Sequence, residues 1–354
     1  MSLSTAGLVE LQDAAANVLA RPSAAQLLPS AQAAEGIPRL ERLLLAAAQG
    51  APAQLSLAAA DLVRAGGKRV RPLLLLLSAR AAAPDRRGKG RVALALVAEL
   101  VHSATLLHDD VIDDGLTRRG LPAPRVAYGN GVSVLAGDWL LTTSLDLAFR
   151  SKVPQAPQTL VRTLRELVEG EARQLAMRGS TTFTAEDAML VSRLKTASLF
   201  GWAAEAGALV AHAPDAVRAA LHSFGLHAGT AFQIADDLLD FEADAATMGK
   251  AVLADVAEGK PSLPLAIGLK RLPVLRDEMA ALLRVVSDPA QEPELRARTK
   301  AFAVKLSHTG ALGAARRIAE QERDAALEAL HQIPESPTRE LLAYVARSLL
   351  ERKS

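Results

Sequence analysis

Two segments of the form D-D-x-x-D limit what this chain can fold into. The first, Asp109-Asp110-Val111-Ile112-Asp113, closes an apolar run from Val101 to Leu107 and is followed at once by Asp114. The second, Asp236-Asp237-Leu238-Leu239-Asp240, follows Ala231 to Ala235. On a helix, residues four apart share a face, so Asp109 lines up with Asp113 and Asp236 with Asp240. Such like charges repel and weaken a helix, and Asp is a poor interior helix former. A fold that keeps two such pairs gains something elsewhere. A hard divalent cation is the obvious candidate, because Mg²⁺ takes oxygen ligands octahedrally and binds one or two carboxylates together with substrate phosphates. One acidic run alone reads as a solvated helix face. Two of them, each after an apolar run, point to a shared cage for metal ions.

Composition narrows the fold class. Half of the 354 residues are hydrophobic, mostly Ala, Leu and Val, and aromatics are only 3%, which favours an all-α protein. The formal net charge of +2 is too even to point to nucleic acid or to a membrane surface. There is no cysteine, so thiol catalysis, disulfides and Cys-ligated metals are excluded. The N-terminus lacks a basic leader, and Glu10 and Asp13 interrupt its apolar stretch, so it does not read as a signal peptide. The longest apolar run, around Leu73 to Ala83, is broken by Arg80 and is too short to cross a bilayer. The expectation is a cytoplasmic protein with no transmembrane segment. It would be a single domain over residues 1–354, with residues 1–37 a poorly defined N-terminal extension.

The positive charges matter by location. In Gly66-Gly67-Lys68-Arg69-Val70-Arg71-Pro72, three cations follow two glycines. Glycine permits close approach and Pro72 suits a helix start, so Lys68 and Arg71 could clamp an anion at that helix N-terminus; the bland alternative is an ordinary basic turn. It is not a P-loop, since the G-x-x-x-x-G-K-[ST] arrangement is missing. His102 lies about two turns before Asp109, which puts it on the face of the acidic cluster. Arg118 and Arg119 come just after the four aspartates and could pair with them or reach a diphosphate that the metals hold. Helical patterns cover 38–65 with a break at Pro52, then 91–108, 132–149, 155–178, 185–212 and 215–242. Gly201 and Gly207 inside such a pattern weaken it unless close packing needs them. A polar loop with Lys250 and Lys260 follows, and the remainder reads as helices broken near Pro289, Pro293 and Pro334.

These motifs, in this order, resemble the trans-isoprenyl diphosphate synthase (polyprenyl synthetase) family. To those already quoted the resemblance adds Gly137-Asp138, Gly170-Glu171 with Gln174, Lys195-Thr196, Phe232-Gln233 and Gly259-Lys260. It runs from Gly66 to about Leu265, while residues 1–60 and 270–354 match only as helical filler. The resemblance implies a single all-α domain of the isoprenoid synthase type around a deep central cavity, and a homodimer. It implies condensation of an allylic diphosphate with isopentenyl diphosphate, head to tail, with Mg²⁺, three ions per site. Asp109, Asp110 and Asp113 would bind Mg²⁺ on the allylic diphosphate, and Asp236, with Asp237 and Asp240, a further ion. Lys195, Lys260 and Arg118 would contact the allylic diphosphate, with Lys250 assisting. Lys68, Arg71, His102 and Arg119 would bind isopentenyl diphosphate. Thr196 and Gln233 would lie near the reacting carbons.

In the family, bulky aromatics one turn or more before the first acidic cluster stop the product short. Here those positions hold Ala104 and Thr105. Their small size implies a product of C25 or longer, with geranylgeranyl or farnesyl diphosphate as the shorter alternative. A class I terpene cyclase is disfavoured, because its second metal motif has another spacing and it lacks the basic set. A non-catalytic partner subunit is disfavoured because such subunits lose acidic motifs, and both stand intact here.

Overall fold

The computed structural model describes residues 31–84, 88–242, 254–285 and 292–350. Among these residues the chain is helical except for one two-stranded ribbon, as the aromatic-poor, Ala- and Leu-rich composition predicts. The residues form two compact units.

Unit 1 contains the described residues up to Arg162 together with Phe200–Gly225 and Ala329–Ser348. It opens with α1 (Ala31–Gln49) and α2 (Ala53–Arg64), separated at Pro52, which takes an extended conformation as N-cap of α2. Next come α3 (Val70–Ala82) and α4 (Arg91–Ile112), then the ribbon β1 (Thr117–Arg118) and β2 (Leu121–Pro122), then the short α5 (Pro124–Tyr128) and α6 (Asn130–Arg150). The ribbon turns on Arg119 (φ 55°) and Gly120 (φ 79°), both left-handed, which is what a two-residue type I′ hairpin requires. Helix α4 packs against α3 and α6. Trp202 is fully buried and donates its indole N–H to Thr159 Oγ1 at 3.1 Å, while Trp139 donates to the Ala47 carbonyl at 3.3 Å.

The longest apolar stretch is not the one around Leu73. Helices α4 and α6 are each long and apolar enough, by length and composition, to cross a membrane. Helix α4 is mostly enclosed within the fold and carries the buried carboxylates Glu99 and Asp110. That is the pattern of a core helix whose few charges are paired.

Unit 2 contains Thr163–Leu199, the described residues of Leu226–Glu328, and residues 349 and 350. Its elements come from α7 (Ala156–Met177), α8 (Ala185–Ser192), a π turn (Arg193–Ala197), the start of α9 (Ser198–Val210) and the second half of α10 (Asp215–Glu242). They continue through α11 (Ala254–Glu258), α12 (Leu263–Arg271), α13 (Val274–Val285), α14 (Glu292–His308) and α15 (Ala311–Ala329). A 3₁₀ turn (Leu330–Gln332) and α16 (Pro337–Ser348) return the chain to unit 1. Thr184 and Asp187 cap α8 reciprocally, each satisfying a backbone N–H that would otherwise lack a partner. The core of unit 2 joins Ile234 and Leu238 of α10 to Leu263 and Leu269 of α12, Phe302 of α14, and Ala311, Ala315 and Ala319 of α15. Pro293, expected to break a helix, instead sits in the first turn of α14, where its missing N–H costs nothing.

Candidate active site

In unit 1 the basic loop between α2 and α3 is held by Arg69. Arg69 is N-cap of α3 in a left-handed conformation (φ 47°) and is buried. Its guanidinium donates to Glu99 at 2.7 Å, to Glu41 at 3.0 Å and to the Val63 carbonyl at 3.3 Å. These partners offset the burial, and its pKa stands above the ordinary arginine value. Gly67 lets the loop lie against its neighbours: a Cβ there would sit 2.8 Å from the Arg69 guanidinium and 3.0 Å from that of Arg119. Arg71 stacks on Phe200, 4.8 Å from the ring centroid, a favourable cation–π contact.

His102 lies among these cations. Burial, and then Arg71, Arg119, Arg69 and Arg118, hold its imidazole well below the usual 6.5, so it is neutral at neutral pH. Burial and the neighbouring Arg69 also lower Arg119. Burial comes first in both cases and the neighbouring cations second, and a bound anion would offset the second of these.

The first acidic segment ends α4. Asp113 is its C-cap and donates its N–H to the Asp109 carbonyl at 2.8 Å. Asp109 and Asp113 are therefore one turn apart, both partly exposed. Asp110 faces the other way and is fully buried. Its Oδ1 accepts from Arg118 Nε at 2.9 Å and from a terminal nitrogen of the same guanidinium. Asp110 thereby fixes the hairpin that carries Arg118 and Arg119. Its Oδ2 is buried without a hydrogen-bond partner. Thr105 sits one turn before Asp109 on the same partly exposed face and donates to the His102 carbonyl at 2.8 Å. Ala104 is buried on another face. Lys68, in the basic loop between α2 and α3, is partly exposed.

In unit 2 the π turn is the organising element. Ser198 N–H bonds to the Arg193 carbonyl, five residues back, and widened turns of this kind recur at functional sites. Gly170 of α7 makes room for it, since a Cβ there would stand 2.6 Å from the Lys195 backbone nitrogen. Lys195 then pairs with Glu171. Thr196 Oγ1 donates to Gln233 Oε1 at 2.7 Å, and Gln233 Nε2 donates to Asp237 Oδ1 at 2.8 Å. The Leu263 N–H approaches Asp237 Oδ2 at 3.4 Å. Burial pushes the Asp237 carboxyl up to about 7 against these hydrogen bonds, and Asp236 and Asp240 add to the rise. Asp236 is exposed and Asp240 partly so, one turn apart on α10. Lys260 follows Gly259 (φ 66°), which turns the chain out of α11, and pairs with Glu258 at 2.7 Å. Lys250 lies outside the described residues.

Within unit 1 the structure thus gathers Arg71, His102, Arg118 and Arg119, with Asp110 on Arg118. Within unit 2 it gathers Lys195 with Glu171, and Thr196 and Gln233 with Asp237. Several contributors escaped the sequence reading. Glu99 and Glu41 anchor the basic loop, and a lone Glu inside the apolar run of α4 was the available signal. Asp255 donates its backbone N–H to Asp240 Oδ2 at 3.0 Å, and burial followed by Asp237 and Asp240 raises its own carboxyl well above the ordinary range. His108 is a further one; it packs on Gly137 and approaches Asp138 Oδ1 at 3.3 Å, the pair the resemblance had already singled out.

These donors fit a hard divalent cation. All are oxygens, and one is a buried carboxylate oxygen without a hydrogen-bond partner. Among the described residues no three His, Asp or Glu side chains already form a metal cage.

All-helical units with two D-D-x-x-D segments and this arginine cluster define the isoprenoid synthase class. Residues 52–300 match the polyprenyl synthetase family. The octaprenyl diphosphate synthase of Escherichia coli is 35% identical over 296 residues, covering 82% of this chain and 88% of the relative. Component 2 of the heptaprenyl diphosphate synthase of Bacillus subtilis is 31% identical, covering 84% and 83%. A polyprenyl synthase from Caulobacter crescentus, solved with calcium and isoprenyl diphosphate, superposes with a TM-score of 0.83 at 32% identity, covering 96% of this chain and 98% of that one. The chain belongs to the polyprenyl synthetase family, and it is a trans-prenyltransferase.

Proposed function

We propose that this enzyme condenses an allylic diphosphate with isopentenyl diphosphate, head to tail, to a C25 or longer all-trans polyprenyl diphosphate. The cluster of Arg71, Arg118 and Arg119 around His102 carries the reading, because it offers a diphosphate several guanidinium forks. Lys68, Arg71, His102 and Arg119 take the isopentenyl diphosphate in this scheme. Lys195, Lys260 and Arg118, with Lys250, take the allylic diphosphate. Arg118 is aimed by Asp110 and Lys195 by Glu171. Asp109, Asp113, Asp236 and Asp240 would hold Mg²⁺, three ions in all, with Asp110 and Asp237 beside them.

Bound there, Mg²⁺ supplies charge neutralisation to the diphosphate as the allylic C–O bond ionises. The lysines and arginines share that work, already in place before the bond breaks. Thr196 and Gln233, locked to each other and to Asp237, hold a fixed line of dipoles for the allylic carbon. The isopentenyl double bond then attacks, and the departing diphosphate takes the proton that is lost. The small residues Ala104 and Thr105 leave the growing chain room, and octaprenyl and heptaprenyl synthases among the relatives support that length.

The purified chain, with Mg²⁺, isopentenyl diphosphate and primers of several lengths, is expected to yield C25 or longer alcohols after dephosphorylation, read by mass spectrometry. Asp109→Ala and Asp236→Ala should each cut turnover by orders of magnitude with unchanged helical circular dichroism. Near wild-type turnover in both would overturn the metal assignment. The B. subtilis relative named as component 2 keeps a second reading open, a chain that works with a partner subunit. Product from this chain alone decides for a self-sufficient enzyme, and product only with a second protein decides against it.

A further inference from the structure

Helix α15 lies wholly beyond residues 52–300, the stretch that matches the family. It buries one stripe: Ala311, Ala315, Ala319, Glu322 and Ala326. Four of these are alanines, which let the helix approach its neighbours closely. The fifth is a carboxylate in a core-facing position, and burying a charge is costly unless it is paired.

Glu322 is paired twice. Its Oε1 accepts from an Arg193 terminal nitrogen at 3.1 Å, and its Oε2 lies 2.6 Å from His227 Nδ1. Burial would raise this carboxyl, but the bonds to His227 and Arg193 hold it below the ordinary range. Arg193 is the first residue of the π turn and supplies the carbonyl of its widened hydrogen bond. His227 lies on α10, six residues before Gln233. Glu322 therefore ties together the two segments whose side chains meet at Thr196–Gln233. The turn is pinned on its other side by Gly170 and by Glu171 on Lys195. Without Glu322, Arg193 would have no such tether, and the π turn could relax toward the ordinary α-helical bonding of its flanks.

We propose that Glu322 is a positioning residue for prenyl transfer, acting through Arg193 and His227 to hold the π turn so that Lys195 and Thr196 meet the allylic diphosphate beside Gln233. This rests on the roles given above to Lys195 and Thr196. Small displacements of such groups cost rate steeply, up to about 100-fold for roughly 1 Å.

The test uses the full chain. Glu322→Gln keeps shape and removes the charge. Arg193→Met removes the other half of the pair at a half-exposed site, where folding is under less pressure. Glu205→Gln is the control, because Glu205 is likewise buried between arginines and a histidine, 3.2 Å from both Arg162 and His222, neither of which belongs to the π turn. Each variant is assayed well below its melting temperature for kcat, for KM of each diphosphate, and for Kd of inorganic diphosphate with Mg²⁺ by calorimetry. Glu322→Gln and Arg193→Met are expected to lower kcat at least tenfold and to weaken diphosphate binding severalfold. The double variant should be no worse than either single, and Glu205→Gln should lower only the melting temperature. Values of kcat and Kd within twofold of wild type in both Glu322→Gln and Arg193→Met would overturn the proposal, as would an equal loss in Glu205→Gln. A wild-type chain without turnover would defeat the prenyltransferase scheme instead, and the diphosphate Kd would still decide the role of Glu322.

Discussion

At the scale of single residues, some charges sit badly with their surroundings. His102 is kept neutral by burial and four arginines. Its folded-state pKa lies below the unfolded value of 6.5, so the unfolded chain takes up the proton first as pH falls. Stability should therefore decline on acidification through and below pH 6.5, and His102→Gln should flatten that slope. Melting temperatures between pH 5 and 8, compared for the two proteins, check this; parallel curves would contradict it. The aspartates were legible from spacing alone, since Asp109 and Asp113 do stand one turn apart and so do Asp236 and Asp240. The different fate of Asp110 was not. A run of aspartates has no mark for which member turns inward, and that depends on Arg118 folding back across eight residues.

At the scale of elements, sequence periodicity located most helices and missed what happens inside them. The pattern over 215–242 became α10 with the same limits, and the break at Pro52 separates α1 from α2. The stretch 185–212 read as one helix because a π turn hardly disturbs hydrophobic spacing: its extra residue shows only in the backbone bonds. The glycines were the better clue. Gly207 lies where a Cβ would meet the Leu75 carbonyl at 2.5 Å, and Gly225 where it would meet Gly201 Cα at 2.7 Å. Both are close contacts of backbone on backbone. Gly170 does the same service for the π turn, and its replacement tests how much depends on that turn. Gly170→Ala places a methyl 2.6 Å from the Lys195 nitrogen, which neither helix can yield without moving. Overpacking of this sort costs about 1–3 kcal/mol. The variant should melt several degrees lower and, at temperatures where it remains folded, turn over at least tenfold more slowly. Wild-type kcat would show that the turn tolerates displacement. The β1–β2 ribbon was half legible, because Gly120 marks a turn while Arg119 at positive φ belongs to a hairpin that composition does not announce.

For the whole molecule, product length is the property no single motif sets. Thr105 shares the partly exposed face of Asp109, whereas Ala104 is buried elsewhere, so Thr105 is the position at which bulk should matter. Thr105→Phe is expected to shift the products toward shorter alcohols in the mass spectrum with little change in helical content. An unchanged product distribution would move the length control to another wall. The C-terminal helices, which read only as helical filler, turn out to supply the buried carboxylate of Glu322. An alanine-rich stripe hides such a residue, because one Glu among exposed charges looks like any other until its face is known.

The placement of the indole and phenol rings has a practical consequence for anyone who unfolds this enzyme. The chain has two tryptophans and two tyrosines, and Trp139, Trp202, Tyr128 and Tyr344 all belong to unit 1. Intrinsic emission therefore watches only that half of the protein. A fall in ellipticity at 222 nm ahead of any change in emission would mark loosening of the unit with Lys195 and Asp236.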